Sequence, residues 1–125
     1  MKLIDVMTKI CEIPIDFERR QDVSMLQLMA ESGYPRHRRE ITEPNIQSYL
    51  KTHPELIDAW ERYSDDQRCS PSWAFRGKTV AYIGSSGRPE SEQLYPDAIM
   101  ACAAFVKRIM EMLYDNGEQA AAADR

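Results

Sequence analysis

Apolar residues recur at helical spacing along both flanks of this chain and give way to a β-branched and aromatic run only in its middle. In residues 2 to 13, Leu3, Met7, Ile10 and Cys11 share one helical face, and Pro14 predicts the stop. A second helix is predicted over 18 to 32. Val23, Leu26 and Ala30 form its stripe, Met25, Leu28 and Met29 widen it, and Gly33 supplies a left-handed end before Pro35. Residues 34 to 41 read as a basic connector. Thr42 then caps a helix with Pro44 in its first turn and Ile46, Tyr49 and Leu50 inward. After His53-Pro54, Leu56, Ile57, Trp60 and Tyr63 recur on one face while Glu55, Asp58, Glu61 and Arg62 point to water. Ser64 and Gln67 have the spacing of a capping box. That predicts one further helical turn, with Asp65 and Asp66 favourably placed at its start.

The pattern changes at Trp73. Trp73 and Phe75, then Val80 to Ile83, are strand formers on either side of Gly77-Lys78, which predicts a hairpin of 72 to 76 with 79 to 84. Gly84 to Glu90 reads as a loop. A last helix is expected from Pro96 to Asp115, ending at Asn116-Gly117, with an apolar surface too broad for one stripe. Such a helix is either central to the core or half of an interface. The predicted class is α+β and mainly α: four or five helices packed on a small antiparallel hairpin that a third strand could extend. One domain over 1 to 117 is expected, with an alanine-rich tail, 118 to 125, that frays.

Composition narrows the classes. The 125 residues carry a net charge of -4, which weighs against a dedicated nucleic-acid binder and suits a basic protein partner. The longest apolar run, Ala98 to Val106, is far short of the roughly twenty residues that span a bilayer. The opening stretch lacks the pattern of a secretory signal. Cys11, Cys69 and Cys102 are odd in number and unpaired in spacing, so reduced thiols and a cytoplasmic location are expected.

No complete catalytic, metal or cofactor motif emerges. Gly77-Lys78-Thr79 looks like the end of a phosphate loop, but Ser72 stands where the earlier glycine belongs and a strand follows instead of a helix. His37 and His53 have no cysteine nearby in sequence to complete a zinc set. Asp65 and Asp66 are adjacent and so diverge on a helix. Cys69 has Arg68 beside it but no neighbouring histidine as base. Arg36, His37, Arg38 and Arg39 could grip phosphate, yet Glu31, Glu40 and Glu43 flank them, which fits a solvated connector. Partner binding has the most support. Trp, Tyr and Arg dominate interface energetics, and a short hairpin offers an edge that can accept a strand.

From Trp60 to Phe75 the chain resembles a group of small uncharacterised bacterial proteins with a Tyr-Ser-x-Asp-x-Arg-x-Ser motif, a Trp-aromatic strand, a Val-x-Tyr strand and a closing helix. The matching positions are Tyr63, Ser64, Asp66, Arg68, Ser70, Trp73, Val80 and Tyr82, with Ala103 to Val106 in the last helix. The likeness covers roughly 42 to 113. It implies an immunity protein, a non-enzymatic antitoxin that neutralises a bacterial toxin by direct binding. The expected contact residues are Glu61, Asp65, Asp66, Arg68, Trp73, Phe75, Arg76 and Tyr82. Glu55, Asp58, Glu61, Asp65 and Asp66 would steer a basic toxin in. Two other classes stay open. One is a small enzyme or small-molecule binder with a pocket under the hairpin holding Ser64, Asp66, Arg68 and Tyr82. The other is a homodimer or larger homo-oligomer through the broad face of 98 to 113.

Overall fold

The computed structural model describes residues 2–67 and 70–123. Among them the elements run α1 (Leu3–Cys11), α2 (Ile13–Arg19), α3 (Met25–Glu31), α4 (Tyr34–His37), α5 (Glu43–Thr52), α6 (Glu55–Asp66), β1 (Ser72–Arg76), β2 (Thr79–Ile83), β3 (Pro89–Leu94) and α7 (Ala98–Ala123). The α+β class is as expected, but seven helices replace four or five and the hairpin is a three-stranded sheet.

Local chemistry accounts for the extra breaks. The chain does leave the helix before Pro14, yet Pro14 opens α2 and is buried there, since a first-turn proline loses no intrahelical hydrogen bond. The helix expected over 18 to 32 is divided because Arg20 is extended and the Ser24 hydroxyl accepts from the Gln27 amide at 3.0 Å, capping a new helix. Gly33 is left-handed, with φ 90°, as predicted. The following connector makes one helical turn and buries Tyr34 completely. Thr42 caps α5 through the Asn45 amide.

The core is built around α7. Ala101 to Val106, Ile109 and Met110 are fully buried against α3, α5, α6 and the sheet. The broad apolar face is therefore spent inside the molecule, and the homo-oligomer reading loses the surface it relied on. Trp60 lies wholly inside, its indole donating to the Cys11 carbonyl at 3.0 Å and meeting Phe105 edge to face. The helix does not end at Asn116-Gly117. It continues to Ala123, and Gly117 gives Leu26 of α3 room: a Cβ there would stand 3.2 Å from the leucine Cδ1.

The sheet is antiparallel in the order β1-β2-β3. Gly77 turns the first hairpin at φ 61°, and Trp73 lies opposite Tyr82, Phe75 opposite Val80. Residues 84 to 88 are the loop that was expected, but the chain then forms β3, paired with β2 through a bulge at Tyr82/Ile83. All six residues of β3 are exposed.

Candidate functional site

The Ser64 to Gln67 segment does not restart a helix. The α6 helix runs unbroken through Asp66, and the polar side chains at its end close the outer edge of β1. Glu61 accepts from the Gly77 amide at 3.0 Å, and Ser64 accepts from the Phe75 amide at 2.7 Å. The Gln67 amide donates to the Trp73 carbonyl at 2.8 Å while its own oxygen accepts from Ser72 at 2.6 Å. The capping-box spacing was real but serves a strand. Glu61 and Ser64 lie on one side of the helix and Gln67 follows at its C-terminal cap, and together they reach alternate residues of β1 and the turn after it. Asp65 and Asp66 consequently sit in the last turn of α6, the unfavourable end of its dipole, and both are exposed.

The expected contact residues do not form one surface. Arg68, like Cys69, lies outside the described residues. Phe75 is 1% exposed and packs nearly face to face on Phe105, centroids 5.6 Å apart, so it is a core residue and not a contact. Asp66 borders a cavity of about 380 Å³ formed largely by Pro14, Phe17, Met25 and Tyr63. Arg76 is exposed and Glu61 is tied to the hairpin turn. Ser64 is committed to the Phe75 amide, and Tyr82 lines a different depression from Asp66, so the described members of the expected small-molecule pocket do not share one cavity.

Trp73 and Tyr82 do come together. They are cross-strand neighbours, half-buried, with ring centroids 5.1 Å apart in an edge arrangement. The Arg108 guanidinium lies 4.9 Å from the Trp73 centroid and donates to the Tyr95 hydroxyl at 2.8 Å. Trp73, Tyr82 and Arg108 wall a groove of about 550 Å³ between the sheet and α7, with Lys107, Glu111, Met112 and Asp115 among its other lining residues.

Lys107 and Glu111 of the groove also belong to a charged cluster with Tyr34 and Arg38, a pairing the basic connector does not reveal in sequence. Glu111 accepts a two-pronged bond from Arg38, at 2.7 and 2.9 Å, and one from the Tyr34 hydroxyl at 2.5 Å. Lys107 donates to the Tyr34 hydroxyl at 2.7 Å and to the Arg38 carbonyl at 2.8 Å. Burial works against the Glu111 carboxylate, but the bonds from Arg38 and Tyr34 and the Lys107 charge outweigh it, and its pKa lies below the ordinary value. Burial lowers the Lys107 pKa, with Glu111 opposing. Burial, followed by the bond to Glu111, raises that of Tyr34. A signal existed: Lys107 and Glu111, four apart, interrupt an otherwise apolar helix. The basic connector is thus bolted to α7 rather than solvated throughout.

Burial pushes the Cys11 thiol up to about 12, so it is a core residue rather than a nucleophile. No group of three or more histidine, cysteine, aspartate or glutamate side chains suited to a metal ion occurs among the described residues, and no helix there is long and apolar enough to cross a membrane. Comparison with protein-family models, curated proteins and solved structures gives no match.

Proposed function

We propose that this chain is a non-enzymatic binding protein that receives a protein partner at the Trp73–Tyr82–Arg108 groove, with neutralisation of a bacterial toxin as its specific form. The observation that carries this reading is the groove itself. A tryptophan, a tyrosine and an arginine stand half-exposed against one another, and these are the residue types that most often dominate interface energy. Each is held by a neighbour before any partner arrives, which lowers the entropy lost on binding. The net charge of -4 and the exposed carboxylates of Glu55, Asp58, Asp65 and Asp66 favour a basic partner and speed its approach. The toxin assignment rests on the resemblance through Tyr63, Ser64, Asp66, Trp73 and Tyr82.

The test is direct binding to the protein encoded by the adjacent gene, with that protein's activity measured alongside. Trp73→Ala is expected to weaken binding by about thirtyfold, the size of a hot-spot truncation of roughly 2 kcal/mol. Phe75→Ala acts instead on stability, by about 3–5 kcal/mol. Tight binding that survives both Trp73→Ala and Arg108→Ala would place the interface elsewhere.

The acidic stretch has its own test with two readouts of opposite sign. Exchanging Asp65 and Asp66 for lysine removes like charge from a helix C-terminus and should stabilise the fold by about 0.3–1 kcal/mol per site. The same change should slow association at low salt, an effect that fades as salt is added. Unchanged association at low salt would remove the steering role.

A further inference from the structure

We propose that the outer edge of β3 takes up an extended, lysine- or arginine-bearing segment of a partner protein as a fourth strand. This is a second surface, separate from the groove although Arg108 touches both.

A three-stranded sheet has two edges, and the two here are treated differently. At β1, Glu61, Ser64 and Gln67 of the α6 end take the Gly77 amide, the Phe75 amide and the Trp73 carbonyl, and so stand where a new strand would bond. At β3 nothing comparable occurs. The Tyr95 amide donates to the Lys78 carbonyl at 2.8 Å, and Gln93 and Ser91 lie opposite Val80 and Tyr82. Backbone direction alternates along a strand, so the N–H and C=O groups of Glu92 and Leu94 point away from the sheet. No described residue bonds to them.

Two further observations specify the occupant. First, β3 buries none of its six side chains, and Leu94 is 75% exposed. It is ordered by the β2 ladder and the Arg108 contact to Gln93 at 3.3 Å, so an added strand would be the first to cover it. Second, β3 carries Glu90 and Glu92 and no basic residue. A second copy laid antiparallel across this edge would set carboxylate against carboxylate, which opposes self-pairing; a basic strand reverses the sign. Glu92 and Leu94 share one face of the strand. The segment that fits pairs a lysine or arginine with Glu92 and an apolar or β-branched residue with Leu94, while main-chain bonds supply the remaining attraction.

The probe is the peptide acetyl-Thr-Val-Thr-Lys-Thr-Lys-amide, which laid antiparallel sets valine against Leu94 and its first lysine against Glu92; it is titrated into the isotopically labelled protein and followed by amide hydrogen exchange and chemical shift. Exchange should slow at Glu92 and Leu94, and not at Ser91 or Gln93, whose amides already face β2. Glu92→Pro removes an outward donor without touching the ladder and should weaken binding by at least about tenfold. Should that variant unfold, Glu92→Lys serves, with the same loss expected from charge. The proposal is overturned if the Glu92 and Leu94 amides do not respond, or if the same peptide with both lysines replaced by glutamate binds equally well. Concentration-dependent protection of those amides without peptide would also overturn it, because the occupant would then be a second copy of this chain.

Discussion

At the scale of residues, Glu111 decides how the N-terminal half is fastened to the core. It gathers Arg38 and Tyr34 and lies 4.0 Å from Lys107, joining the connector to α7 across the length of the chain. It is part-buried, so its bonds keep more strength than those of an exposed pair. Glu111→Gln should cost about 1–3 kcal/mol at neutral pH, read from urea unfolding. The pH dependence has a definite sign. The folded-state pKa is depressed, so the stabilisation is complete above the ordinary glutamate value of about 4.3 and is lost as pH falls through the lower folded value. Wild type should therefore lose stability below about pH 4.3 more steeply than Glu111→Gln does. An equal slope in the two proteins would mean that Glu111 is not held this way in solution. Tyr34 and Arg38 sit in what reads as a polar linker. Their partner lies on α7, more than half the chain away; the break that Lys107 and Glu111 make in its apolar run shows that something polar is met there, but periodicity does not say what.

At the scale of elements, the link between α6 and β1 shows how a correct local signal can be attached to the wrong structure. Ser64 and Gln67 have capping-box spacing, but the donor that Ser64 receives belongs to Phe75. A helix cap and a strand-edge cap ask for the same small polar acceptor, so the sequence alone does not separate them. Ser64→Ala should leave the buried Phe75 amide without an acceptor and cost about 1–3 kcal/mol. Hydrogen exchange at Phe75 should rise, while Gly77, held by Glu61, stays protected. Signals confined to a few neighbouring residues read through cleanly: the Thr42 cap, left-handed Gly33 and the Gly77 turn all stand where they were expected. The sequence allows for a third strand but does not place it: β3, Pro-Glu-Ser-Glu-Gln-Leu, falls partly in what reads as a loop and has no apolar alternation because neither of its faces is packed. It exists through main-chain pairing with β2, which leaves no side-chain pattern to detect.

At the scale of the whole molecule, one central helix organises everything else. Trp60, Phe75 and Phe105 meet over it, which is why Trp60 was legible as core while Phe75, on an equally aromatic strand, was misread as surface. Inward and outward positions on a strand alternate strictly, and the choice between them depends on where the sheet docks. Beyond Gly117 the last helix contributes little to this arrangement, since residues 118 to 122 are exposed. Deleting residues 118 to 125 should change stability by no more than about 0.5 kcal/mol, measured by thermal and urea unfolding. A larger loss would mean that the final turns brace α3 through more than Leu26. The shut edge at β1 also sets a valence. A sheet with two open edges can add copies without limit and grow into a fibril. With Glu61, Ser64 and Gln67 acting as a terminator on one side, any association through strands here stops after a single addition, and the product is a discrete complex of fixed stoichiometry.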